Sequence, residues 1–126
     1  MNTEILIYLL IGLQIKHFIC DYPLQNAYML QKGGLVGWVK PLLAHSSVHA
    51  VGTFIVFLYF GFKIAILFSL IDFVLHFVVD RIKACPTIGG KYNPTQPYFW
   101  WALGLDQMAH HIINILFVAF VLYFHS

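Results

Sequence analysis

Hydrophobic residues fall into four long runs, roughly 3–20, 41–60, 63–79 and 99–124, separated by polar stretches rich in glycine and proline. A helix that crosses a bilayer needs about 20 mostly apolar residues, fewer where protein covers its end. All four runs meet that length. The first and third are short and carry polar residues, which must face inward because a charge facing lipid is costly. The connection 21–40 contains Pro23, Gly33, Gly34 and Gly37 and reads as a loop with a short interfacial helix over 24–32. Gly61 and Phe62 form a tight turn. Pro86, Gly89, Gly90, Pro94 and Pro97 forbid a long helix over 81–98. The pattern predicts an all-α fold, a four-transmembrane-helix bundle with short loops, forming one domain over residues 1–126.

Composition supports lipid as the solvent. Of 126 residues, 60% are hydrophobic and 10% charged, whereas soluble domains carry about a quarter charged residues. A net charge of +2 gives no basic field for nucleic acid. Cys20 and Cys85 form no disulfide framework and read as thiols, with Cys20, three residues after His17, a remote ligand candidate. The first run lacks a basic leader and a small-residue cleavage site, so it reads as a retained helix. Trp38, Tyr98, Trp100 and Trp101 mark the interfacial level where the second and fourth helices begin. Lys32, Lys40, Arg81, Lys83 and Lys91 fall in the two long loops and only Lys63 in the tight turn opposite. The positive-inside rule then makes the long loops cytoplasmic and both termini external, in what reads as a bacterial inner membrane.

The polar residues inside the runs carry the chemistry. Histidine and aspartate recur four positions apart: His17 with Asp21, Asp72 with His76, His76 with Asp80, and Asp106 with His110, joined by His45 with His49. Residues four apart share a helix face, so each pair offers two ligands in one direction. All four helices contribute, as a site at the centre of a bundle requires. Because chain direction alternates, every pair falls in the same leaflet, the one beside the long loops. Structural struts explain one such pair, but each buried carboxylate costs several kcal/mol, and a divalent cation compensates several at once. Mixed imidazole and carboxylate ligands suit one or two divalent transition-metal ions, zinc foremost, with manganese or iron as alternatives. The metal set is His17, Asp21, His45, His49, Asp72, His76, Asp80, Asp106 and His110. Asp21 and Asp80, at helix ends, are expected to frame the mouth. Gln25, Lys32, Arg81, Lys83 and Gln107 lie nearby for substrate, the cations as phosphate ligands or as interfacial anchors. Lys16 lies on a different face from His17 and is expected to reach for the interface; His111 reads as a packing histidine.

The ordered set of His17, Asp21, Tyr22, Pro23, Leu24, Gln25, Lys32, His45, His49, His76, Asp80, Lys83, Asp106, Gln107 and His110 resembles a family of small bacterial and phage membrane proteins of unknown function. Tyr22-Pro23 departs from that family's pattern. The set is more loosely similar to the membrane-bound metal-dependent hydrolases, some of them LexA-regulated.

The resulting expectation is a membrane-embedded metal-dependent hydrolase acting on an amphiphile with a phosphate group, a phospholipid or an isoprenoid phosphate, with Asp21 or Asp106 as general base. The alternatives are a divalent metal-ion transporter and a metal-stabilised accessory membrane protein. A transporter requires a polar path through the other leaflet, where the segments 5–13, 52–58, 64–70 and 115–123 carry only Tyr8, Thr53, Ser69 and Tyr123 as polar side chains. A homo-oligomer stays open.

Overall fold

The computed structural model describes residues 3–125, without the side chain of His125; Met1, Asn2 and Ser126, which bear on the expected external placement of both termini, lie outside the described residues. Five α-helices follow in order: α1 (Thr3–Asp21), α2 (Ala27–Leu30), α3 (Val39–Phe57), α4 (Phe62–Ala84) and α5 (Pro97–His125). No strand occurs among the described residues. Four of the helices, all but α2, are long and apolar enough to cross a membrane.

Helix boundaries follow local chemistry rather than the limits of the apolar runs. Helix α3 begins at Val39 and contains Pro41 in its first turn, where the missing N–H would have no partner anyway. Helix α5 opens on Pro97 for the same reason. Helix α4 continues past Val79 to Ala84 and stops before Pro86, with Cys85 extended (φ −61°, ψ 125°), as a residue preceding proline prefers. The expected interfacial helix shrinks to α2, capped by Asn26, whose Oδ1 accepts from the Met29 N–H at 2.9 Å, followed by a 3-10 turn over Gln31–Gly33. The α3–α4 turn passes through Gly61 at φ 111°, backbone that side chains other than glycine's rarely adopt.

Polarity is distributed inside-out. Lys16, His17, His45, His49, Asp72, His76, Asp80, Asp106 and His110 are all buried, while Ile11, Phe18, Val51, Leu70, Val74, Leu105 and Leu116 are exposed. Such a surface is stable only in an apolar solvent. Trp100, Trp101 and Tyr98 are more than half exposed, and the Trp100 indole N–H donates to the Pro94 carbonyl at 2.9 Å.

Away from the long loops the helices meet through an apolar cluster: Leu9 and Leu13 of α1, Phe57 of α3, Phe68 of α4, and Phe117, Val118 and Val121 of α5. Phe68 stacks on Phe117 at 4.7 Å and meets Phe57 edge-on at 4.8 Å, geometries that favour aromatic pairs beyond their burial. The half nearer the long loops is polar. Between the two layers, Gly52 makes room for the Lys16 stem: a Cβ there would lie 2.7 Å from Lys16 Cγ. Gly52→Ala is expected to lower stability by about 1–3 kcal/mol through overpacking, measured as a lower thermal midpoint in detergent. An unchanged midpoint would show that the lysine stem moves aside freely.

Candidate metal centre

Five histidines turn the same ring edge inward. The i, i+4 spacing puts His17 and Asp21 on one face of α1, His45 and His49 on one face of α3, Asp72, His76 and Asp80 down one face of α4, and Asp106 and His110 on one face of α5. Nε2 of every one of these imidazoles lies within 3.3 Å of a carboxylate oxygen. Their Nδ1 atoms are buried without a partner, so packing rather than a hydrogen bond behind the ring orients them. His49, His76 and His110 form a stack, with centroids 3.8 Å and 4.0 Å apart.

Two groups of ligand atoms emerge, His17–Asp21–His49 and His76–Asp80–His110, and within each the three atoms lie within 4.8 Å of one another. His45 lies between them, its Nε2 3.3 Å from Asp21 Oδ1 and 3.1 Å from Asp80 Oδ2. Asp106 extends the second group, with Oδ1 3.2 Å from His110 Nε2. Gln107 joins Asp106 to the first group: its Nε2 donates to Asp106 Oδ2 at 3.0 Å, and its Oε1 is 2.7 Å from His17 Nε2. Asp21 and Asp80, expected to frame the mouth, do line it, and each is also the carboxylate of one group.

Several of these contacts lack hydrogen-bond geometry. Asp80 Oδ2 and Asp72 Oδ1 have no hydrogen-bond partner, although imidazole nitrogens lie 3.1 and 3.2 Å away. Donors that share one ion at 2.0–2.2 Å stand about 3 Å apart with their lone pairs converging on it. The spacing therefore fits ligands of a common cation, although His49–Asp21 at 2.7 Å and His110–Asp80 at 3.0 Å also meet hydrogen-bond geometry.

Charge points the same way. Asp21, Asp72, Asp80 and Asp106 face two ammonium groups: Lys16, 3.0 Å from Asp72, and Lys32, 3.5 Å from Asp80. With every imidazole neutral, two negative charges are left over in a buried cluster, where unpaired charge is costly. Protons on neighbouring stacked imidazoles would set like charges about 4 Å apart. A divalent cation removes the deficit without that repulsion, so the donor set fits one.

Three expectations need correcting. Lys16 does not reach for the interface. It is buried at 6% exposure and donates to Asp72 Oδ2 at 3.0 Å, while the Thr53 hydroxyl donates to the same oxygen at 2.5 Å. Asp72 is thereby engaged below both ligand groups, leaving only Oδ1 toward His76. Arg81 does not line the mouth cavity: its guanidinium donates to the Lys32 and Gly34 carbonyls at 2.9 and 3.1 Å and lies over the Trp38 ring at 3.9 Å. It ties the first long loop to α4. Cys20 points elsewhere, its thiol 3.7 Å from the Val48 carbonyl. Lys16 and Thr53 were missed as partners. The signal for Lys16 was its register: it continues the buried positions Leu9 and Leu13 toward Cys20.

The mouth opens between the long loops as a cavity of about 310 Å³ bounded by Asp21, Gln25, Lys32, Lys83, Asp106 and Gln107. Lys32 Nζ donates to Gln25 Oε1 at 2.8 Å, and Gln25 Nε2 donates to the Asp21 carbonyl at 2.8 Å.

Fold and site together define an all-α protein with four helices long and apolar enough to cross a membrane and an inward His–Asp cluster at one end of the bundle. The chain belongs to the family described as protein of unknown function (DUF3307), which matches residues 5–126. No curated protein and no solved structure matches it.

Proposed function

We propose that the protein is a membrane-embedded metal-dependent hydrolase whose substrate is an amphiphile bearing a phosphate group. The observation that carries the reading is the pair of buried two-histidine, one-aspartate groups opening on a cavity lined by lysine and carboxylate. Two imidazoles and a carboxylate are the ligand set of catalytic zinc sites, which leave further positions open; manganese and iron are accepted by similar donors. A divalent cation held there supplies Lewis acidity, lowering the pKa of water and polarising a phosphoryl oxygen. His17, Asp21 and His49 would hold one ion and His76, Asp80 and His110 the other, with His45 between. Asp21 meets three imidazoles and is better placed as a ligand than as a base. Asp106 lines the mouth and accepts the proton of the attacking water, held in place by Gln107 and His110. Lys32 and Lys83 orient the phosphate. In this reading the basic loops are cytoplasmic and the looser likeness to membrane-bound metal-dependent hydrolases extends to the chemistry.

An ion conduit through one chain is disfavoured by the Leu13, Phe68 and Phe117 layer below the site, which offers no polar atom to a passing cation. The test is metal content followed by turnover. The purified protein is expected to carry about one or two equivalents of a first-row metal and, with zinc, manganese or iron added, to hydrolyse a phospholipid or an isoprenoid phosphate. Chelation should stop the reaction and restoring the metal should recover it. A folded preparation that binds none of the three metals overturns the reading.

A further inference from the structure

The mouth cavity has a lateral continuation. A second cavity of about 400 Å³ lies between the end of α4, the start of α5 and the loop joining them. Its wall is apolar, built largely from Val79, Ile82, Ile88, Ala102 and Leu105, and Lys83 and Asp106 belong to both cavities. Ile82, Ile88 and Leu105 are each more than half exposed, so this groove opens to the outside of the bundle.

We propose that this α4–α5 groove is the tail-binding site of an anionic phospholipid, admitted sideways from the leaflet, whose phosphate is gripped at the shared rim by Lys83. The inference rests on the hydrolase reading for its purpose and supplies what that reading lacks, the route and the seat of the hydrocarbon chain. Three observations carry it. The apolar groove and the polar mouth share Lys83 and Asp106 as lining residues, so one molecule can reach both with its head and tail in unlike surroundings. Lys83 makes no ion pair among the described residues, in contrast to Lys16 and Lys32, so its charge is available for an anion. Lys91 adds a second cation to the same groove.

An internal comparison separates this groove from ordinary solvation by lipid. A larger apolar groove, about 550 Å³, runs between α1 and α3 along Ile15, Ile19, Val51 and Ile55. Its only cation is Lys16, which is committed to Asp72. Lipid tails fill both grooves, but only the α4–α5 groove should distinguish headgroups.

The experiment reconstitutes the protein into phosphatidylcholine vesicles containing a minor fraction of phosphatidic acid with a photoactivatable acyl chain, and maps crosslinks by peptide mass spectrometry. A second preparation carries the same chain on phosphatidylcholine. Labelling of Val79, Ile82 and Leu105 is expected to be about fivefold or more stronger from phosphatidic acid, with no headgroup preference at Ile15, Ile19 and Val51. Lys83→Met should abolish the preference, and Lys83→Arg should keep it. Equal labelling from both headgroups at α4–α5, or an equal preference in both grooves, overturns the proposal. Metal content is measured on the same samples. A headgroup preference in metal-free protein leaves the groove standing and removes the hydrolase, whereas bound metal without preference does the reverse.

Discussion

Asp80→Asn is expected to leave the protein folded and remove about one equivalent of bound metal, the loss following from one of two ion positions giving up its charged ligand. Asp80 is the sole carboxylate of the His76–Asp80–His110 group, and its second oxygen faces His45. The substitution separates two accounts of the cluster because they predict opposite signs. If the His–Asp contacts are hydrogen-bonded struts, asparagine keeps an acceptor, adds a donor and lowers the net negative charge of the cluster by one, giving up only the loose 3.5 Å pair with Lys32. Stability should then hold or rise. If the contacts are ligands of a cation, the neutral amide is a poor replacement, and metal should fall with it. Elemental analysis alongside thermal midpoints, with and without chelator, reads both quantities. A variant with full metal content would rule out Asp80 as a ligand.

Lys16→Met is expected to be among the most destabilising single substitutions in the chain, at about 3–5 kcal/mol, the cost of leaving a buried charge without its partner. Lys16 and Asp72 have side chains 5% and 1% exposed, 3.0 Å apart. Removing the ammonium leaves Asp72 with the Thr53 hydroxyl and an imidazole edge. The double variant Lys16→Met with Asp72→Asn should recover most of the loss, since both charges then disappear together. Denaturation of the wild type, Lys16→Met, Asp72→Asn and the double variant in mixed micelles gives the coupling energy. A neutral single variant that gains an equivalent of metal would mean that the lysine occupies the place of a third cation rather than bracing the bundle.

The four long helices were readable because lipid imposes a single rule on the outside of each: runs of apolar residues long enough to span. Where a run loses hydropathy the rule falls silent. The third apolar run ends at Val79, where Asp80, Arg81 and Lys83 follow, yet nothing in that stretch breaks a backbone until Pro86, and α4 continues to Ala84. The His–Asp pairs were readable because spacing by four fixes a face whatever the depth. Partnership across helices was not. Whether a lysine snorkels or pairs depends on which side of its helix meets a carboxylate, and Lys16 differs from His17 by only one position. Arg81 misled for a related reason. A guanidinium beside a cavity suits phosphate, but here the carbonyls of a loop far away in sequence, at Lys32 and Gly34, claim it.

The stacked Phe68 and Phe117 rings and the leucines beside them bear on the membrane's electrical properties. From Asp80 to Asp72 the polar cluster runs eight residues down α4, about 12 Å at 1.5 Å per residue, so much of one leaflet's thickness is replaced by polarisable side chains. A voltage across the bilayer then falls mainly over the hydrocarbon that is left, and inside the bundle that is the aromatic layer. It acts as the thin dielectric of a capacitor. Moving one charge across the whole potential is worth about 2.3 kcal/mol per 100 mV, so even a small leak past these rings would dissipate the ion gradients across the membrane. With the four long helices across a bilayer, Phe68 would insulate as well as pack, and enlarging the space around it would show first as conductance.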